Sequence, residues 1–135
     1  MLHFIRLAGM IVVASTMVAS AQPFCQFSKD PGPIVVTSVT EKSVVPAKLI
    51  LAGKANCGWF FESSFPVAVR SPYGRLLWQG PAITAAEWIY QGMHTFTADI
   101  DVGKYTGPII IELMRDNESD DRSADKKVFF HVSVR

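Results

Sequence analysis

The feature that most constrains the fold is a strict alternation of apolar and polar side chains in residues 94–102, HTFTADIDV. Every second residue from Phe96 to Val102 is apolar or small, and the residues between them are threonine or aspartate. Successive side chains of a β-strand point to opposite faces of the sheet, so this pattern predicts a strand with one buried and one wet face. The buried face requires a second layer of structure against which it can pack.

Other short segments with strand-like composition are separated by proline, glycine and polar turns. We predict further strands at residues 33–40, 47–55, 64–72, 75–80, 107–116 and 126–135. Residues 81–93 fit either a short helix or a strand, and we interpret them as an irregular crossover. No long amphipathic helix pattern is present, so the sequence predicts an all-β, immunoglobulin-like antiparallel β-sandwich of about seven strands, spanning residues 33–135.

The N-terminus differs from the rest of the chain. Arg6 precedes an apolar stretch, and Ala19, Ser20 and Ala21 fit the small-residue cleavage rule, so residues 1–21 are predicted to be a signal peptide. A retained membrane anchor is the alternative, but residues 7–21 fall short of the roughly 20 apolar residues that span a bilayer. Cleavage near Ala21 predicts an exported protein, periplasmic or extracellular, with residues 22–32 as an irregular leader.

Export changes the interpretation of the two cysteines, Cys25 and Cys57. An oxidising compartment allows them to pair, and the bridge would stabilise the domain by roughly 3 kcal/mol. It would also tie the leader to residues 57–61, the aromatic segment that begins at Cys57. Two free thiols are the alternative, because sequence alone does not bring the two Cα atoms within bridging distance.

The charge balance excludes one class of partner. The chain has 13 basic and 12 acidic residues, a net charge of +1, and no basic run. A nucleic-acid-binding surface or an anionic-membrane surface would require clustered positive charge. We therefore expect neither nucleic acid nor, after cleavage of the signal peptide, a membrane as a partner.

Catalytic and metal-binding patterns are not found in the sequence. His94 and His131 are the histidines outside the signal peptide, and neither has a metal-ligand partner at the required spacing. Residues 116–125 begin like a calcium loop, but Asp121 and Lys127 occupy the positions that require glycine and glutamate. We expect no enzyme activity, no metal and no cofactor, and we interpret residues 116–125 as a solvated hairpin loop.

The stretch NCGWFFESSFPVAVRSP, residues 56–72, presents three aromatic residues in a row before a carboxylate. One hypothesis is an exposed binding patch, formed by Trp59, Phe60, Trp88 and Tyr90, with Glu62 accepting hydrogen bonds. The other places Trp59 and Phe61 in the core of a bulged strand, with Trp88 capping one end. We favour the second, which leaves Phe60 exposed or covered by the leader and Glu62 satisfied by backbone donors in the bulge.

Two sequence patterns resemble known families. DVGKYTG, residues 101–107, resembles the tyrosine-corner signature of immunoglobulin domains, with Gly107 in place of the cysteine. GWFFESSFPV, residues 58–67, resembles the block ending Phe-Glu-Ala-Ser-Phe-Pro-Val in the immunoglobulin-like domain of bacterial spore germination, with Ser63 in place of alanine. Further positions resemble that family across residues 34–134: Pro46, Gly53, Ala55, Trp88, Phe96, Asp116 and Asn117. Glu118 and Asp120 stand in place of the proline and glycine of its loop, and Cys57 lies at a position where that family is not expected to have a cysteine.

The resemblance implies a sandwich domain of exported or envelope proteins and brings no catalytic residues. It predicts a non-catalytic module that acts by binding or scaffolding, with an envelope protein or glycan as partner. A carbohydrate-binding module that uses exposed aromatic rings is an alternative, and a secreted hydrolase inhibitor using the 116–125 loop is a further one.

Overall fold

The computed structural model describes residues 9, 11, 12 and 22–135, so the predicted signal peptide lies outside the described residues except at those three positions. Within them the protein is all-β, with 3-10 turns at Cys57–Trp59 and Arg122–Ala124 and no α-helix. The strands are β1 Ile34–Val36, β2 Val44–Val45, β3 Lys48–Asn56, β4 Ser64–Arg70, β5 Leu76–Ile83, β6 Met93–Asp101, β7 Gly107–Met114 and β8 Lys127–Val134. No described helix is long and apolar enough to cross a membrane.

The strands form one curled sheet of eight strands in the order β1-β3-β6-β5-β4-β7-β8-β2. The sheet turns at strand β5. This strand pairs with β4 along its length, from Ile83 opposite Ser64 to Leu76 opposite Arg70, but it pairs with β6 only where Ile83 lies opposite Thr97. Neighbouring strands are antiparallel except β2 and β8, which are parallel. The predicted all-β class is confirmed, whereas the expected purely antiparallel arrangement is wrong at this one pairing.

The core lies inside the curl of the sheet. On β6 the predicted alternation is confirmed, because Phe96, Ala98 and Ile100 are buried while the threonines and aspartates between them are exposed. The ring of Phe96 packs edge-to-face on Phe65 of β4, with ring centres 5.0 Å apart. Inward residues of β3, β7 and β8 complete the core, among them Leu51, Ile109, Ile111, Leu113 and Val132.

Hydrogen bonds between the β1–β2 loop and His131 of β8 explain the parallel pairing of β2 with β8. The carboxylate of Glu41 accepts a hydrogen bond from the backbone nitrogen of His131 (3.0 Å) and lies 2.7 Å from its ring Nδ1. The backbone nitrogen of Lys42, which has a φ of 65°, donates to the carbonyl of His131. These bonds hold the loop against β8, so the two residues of β2 follow β8 in the same direction. The sequence did not predict β2, and β1 ends at Val36 instead of residue 40.

Two other sequence predictions concern segments that connect strands. Residues 81–83 continue β5, so the irregular crossover is limited to residues 84–92. In the turn between β6 and β7, the hydroxyl of Tyr105 donates to the carbonyl of Pro108 at 2.7 Å. The tyrosine thus bonds to the backbone, but its acceptor lies three residues downstream in the chain, whereas the signature predicts an acceptor a few residues upstream.

Candidate functional site

A disulfide joins the leader to the aromatic segment. Cys25 and Cys57 are bonded, with their Cα atoms 5.9 Å apart, which confirms the predicted pairing. No free cysteine remains in the described part of the chain. A structural disulfide is typical of proteins that fold in an oxidising, exported environment.

The first half of the leader lies against the crossover at residues 84–92. The backbone N–H of Cys25 donates a hydrogen bond to the carbonyl of Ile89 (2.6 Å), and the backbone N–H of Gln91 donates to the carbonyl of Pro23 (3.0 Å). The rings of Phe24 and Tyr90 stack with their centres 5.7 Å apart. Tyr90 therefore serves as a contact for the leader and does not join the other aromatic residues in one patch.

The second half of the leader is fastened to the aromatic segment. The indole nitrogen of Trp59 donates to the carbonyl of Gly32 at 2.9 Å, and the side-chain nitrogen of Asn56 donates to that of Pro31 at 2.8 Å. A Cβ atom at Gly58 would lie 2.9 Å from the carbonyl oxygen of Pro31, so this contact requires glycine. Trp59 is 0% exposed and has its one polar atom satisfied, which makes it a core residue, as the favoured hypothesis predicted.

The 3-10 turn at Cys57–Trp59 corrects the prediction for Phe60. A 3-10 turn advances the side-chain direction by about 120° per residue, so neighbours need not alternate between two faces as they do in a strand. Phe60 is 4% exposed and packs edge-to-face on Phe65 at 5.2 Å, whereas Phe61 is half-buried. The predicted exposure of Phe60 is wrong, as is the predicted core position of Phe61, although Phe60 and Cys25 of the tethered leader line the same cavity.

Glu62 and Ser63 form a tight two-residue turn. Their φ angles are 47° and 68°, and Phe61 and Ser64 exchange two backbone hydrogen bonds of 2.9 and 3.0 Å across it. The Glu62 side chain is exposed and makes no hydrogen bond to any described residue. The expectation of a bulge whose backbone donors satisfy Glu62 is therefore wrong: a turn occupies this position.

A cavity of about 200 Å³ opens between the leader, the aromatic segment and the end of β7. We call it the leader pocket; its lining residues are Cys25, Gln26, Phe27, Cys57, Gly58, Phe60, Phe61, Trp88, Arg115, Asp116 and Glu118. The rings of Phe61 and Trp88 meet edge-to-face, with centres 5.9 Å apart and planes at 64°. Two aromatic walls thus meet at an angle, with charged groups beside them.

Arg115 is the buried charge of the leader pocket. It is 6% exposed, and it donates to the carbonyls of Gly58 (3.0 Å), Lys29 (3.1 Å) and Ala124 (3.2 Å). Its guanidinium forms no ion pair within 4.0 Å in residues 22–135. Burial lowers the pKa of Arg115, and the more distant charges of Asp30 and Asp125 oppose that shift. The buried cation is thus compensated chiefly by backbone dipoles.

Two carboxylates, those of Asp116 and Glu118, also line the leader pocket. Burial raises the pKa of Asp116, and repulsion by Glu62 raises it further. The pKa of Glu118 is also raised, first by desolvation and then by Asp116 and Glu62. Among the described residues no group of three or more carboxylate, histidine or cysteine side chains could hold a metal ion.

The structure brings together only part of the predicted site. Phe60 and Trp88 line the leader pocket, and the charge of Glu62 raises the pKa of Asp116 there. Trp59 lies in the core instead, and Tyr90 packs on the leader. Sequence reasoning missed Phe27, Arg115 and the return of the leader over Gly58. No protein-family model, curated protein or solved structure matches the chain.

Proposed function

We propose that the protein is an exported, non-catalytic, immunoglobulin-like module of the bacterial cell envelope that acts by binding a partner in the leader pocket. The proposal includes the likeness to the immunoglobulin-like domain of bacterial spore germination. The observation that carries it is the pocket itself, an aromatic-walled cavity with charged groups that no side chain of the described chain fills. Concave, mostly apolar sites with a few convergent polar groups are the usual form of a ligand-binding site.

The strand order supports an immunoglobulin-like arrangement. Cutting the curled sheet where β5 meets β6 at one residue pair leaves one layer of β1, β3 and β6 and another of β5, β4, β7, β8 and β2. The apolar faces of both layers contribute to a single core. A sandwich requires two such layers to face each other across one core.

The disulfide supports the exported location. Structural disulfides persist in the periplasm and outside the cell and are rare in reducing compartments. Cleavage near Ala21 would leave the leader beginning close to Pro23, which is already bonded to Gln91. The mass of the protein from the exported fraction, measured with and without alkylation, tests this part: a chain that begins at Gln22 and takes up no alkyl group is expected.

The binding role is tested by sedimentation of the protein with isolated envelope material. We expect Trp88→Ala and Phe61→Ala to reduce the bound fraction severalfold, because each removes one wall of the leader pocket. Tyr73→Ala is the matched control, since Tyr73 is 99% exposed and follows β4 at its opposite end. Equal binding by all three variants would contradict a role for the pocket.

A further inference from the structure

We propose that the leader pocket binds a single neutral sugar ring of an envelope glycan. This inference rests on the binding function proposed above and names the chemical class of its ligand. The argument uses three kinds of group that share the cavity: a buried hydrogen-bond donor, two acceptors and two aromatic walls.

The donor is the guanidinium of Arg115. Its Nε and Nη1 atoms donate to backbone carbonyls, but Nη2 has no partner among the described residues. Ser43 Oγ is the one side-chain nitrogen or oxygen atom of the described residues that is both sealed from solvent and without a partner, so Nη2 is not sealed from solvent. A side chain that is 94% buried therefore keeps an unused, charged donor beside the cavity, and a ligand oxygen would satisfy it.

The acceptors are the carboxylates of Asp116 and Glu118. Neither side chain makes a hydrogen bond within the described residues, although the backbone nitrogen of Asp116 is fixed to the carbonyl of Trp59 at 3.1 Å. Sugar hydroxyls donate to carboxylates in short, charge-assisted bonds that are stronger than bonds between neutral groups. The raised pKa values of both groups agree with carboxylates that lack hydrogen-bond donors among the described residues.

The walls are Phe61 and Trp88, whose planes are inclined by 64°. One ring can cover the C–H face of a sugar while the other closes the side. The volume of about 200 Å³ is enough to accept one sugar ring. We therefore expect one residue of the glycan to enter.

The charges around the cavity disfavour an anion, because three carboxylates outnumber one guanidinium, and a cation would leave the free donor of Arg115 unsatisfied. An anion would be attracted by Arg115 but repelled by Asp116, Glu118 and the nearby Glu62. A cation would be attracted by the carboxylates but would meet the guanidinium. A polyhydroxyl ring can donate to the acceptors and accept from the donor at the same time, so it uses every polar group of the cavity.

The inference is tested by NMR titration of the disulfide-bonded protein with the methyl glycosides of glucose, galactose and N-acetylglucosamine. Butylammonium and butyrate serve as cationic and anionic probes of similar size. We expect at least one glycoside to shift the indole N–H signal of Trp88 and to bind more tightly than either ion. Asp116→Asn should weaken that binding about tenfold through loss of a charge-assisted bond, and Trp88→Ala should abolish it.

The matched control is Asp120→Asn, an exposed carboxylate of the same loop outside the pocket, which should leave binding unchanged. Tighter binding of butylammonium or butyrate, or glycoside binding that survives both pocket substitutions, would overturn the inference. If the glycosides do not bind but Trp88→Ala still lowers binding to envelope material, the sugar is wrong and the binding function stands. If neither assay depends on Trp88, both proposals fail.

Discussion

The guanidinium carbon of Arg115 lies 4.6 Å from the ring centre of Phe27. Through this stack and its three carbonyl contacts, one side chain at the end of β7 joins the leader, the 3-10 turn after β3 and the loop before β8. The local structure around the leader pocket therefore depends on a residue that none of the sequence motifs identified.

Arg115→Met is expected to lower the free energy of unfolding by about 3 kcal/mol, because buried carbonyls lose a charged donor. Phe27→Ala should cost only about 1 kcal/mol, since its ring is 60% exposed and contributes mainly the cation–π contact. Urea unfolding followed by tryptophan fluorescence measures both. A larger loss in Phe27→Ala than in Arg115→Met would contradict this ranking.

The double variant Cys25→Ser, Cys57→Ser is expected to lose about 3 kcal/mol, because the bond closes a loop with a sequence separation of 32. The variant should unfold at the same urea concentration with or without reductant, whereas the native protein should become less stable when reduced. Hydrogen exchange provides a local test. The amides of residues 25 and 91, which join the leader to the crossover, should exchange faster in the variant.

Asp116→Asn is expected to stabilise the protein at neutral pH but not in acid. The folded-state pKa of Asp116 is raised above its ordinary value of 3.8, so the folded protein holds a proton that the unfolded chain releases. Stability therefore falls as the pH rises through the window above 3.8, and asparagine removes this fall. Urea midpoints between pH 3 and pH 7 should diverge with rising pH; a constant difference would refute the assignment.

Glu41→Gln should have the opposite pH dependence. The backbone nitrogen of His131 is the main cause that lowers the pKa of Glu41 below 4.5, so the bond stabilises the fold above that pH and is lost as the pH falls through the folded-state pKa. Native protein should lose stability on acidification in this range, and the variant should lose less. Glu87→Gln, an exposed carboxylate in the crossover, is the control.

Ser63→Gly is expected to raise stability by about 1 kcal/mol, because serine at a φ of 68° is strained and glycine is not. Thermal unfolding is the measurement. Ser28→Gly in the leader, at a residue that does not have a positive φ, should produce no gain. If both variants change the unfolding temperature equally, strain at the turn is not the cause.

The sequence predicted what depends on local alternation, and it predicted the disulfide because the chain has only two cysteines, but it missed the other contacts between distant residues. The pattern of β6 requires only one buried and one exposed face, so the burial of Phe96 and the exposure of Thr97 were predicted correctly. The position of Phe60 depends on a 3-10 turn that a run of aromatic residues does not reveal. Strand β2 exists because Glu41 reaches His131, and the leader pocket exists because Arg115 reaches Lys29; neither pairing has a local signature.

The covalent link between Cys25 and Cys57 also determines what a protease can release from the domain. The exposed loop between β1 and β2 lies inside the closed ring, so a cut at Thr40 or Glu41 would leave two fragments still joined through the sulfur atoms. The nicked protein would keep its full mass on a non-reducing gel and separate into two pieces only after reduction.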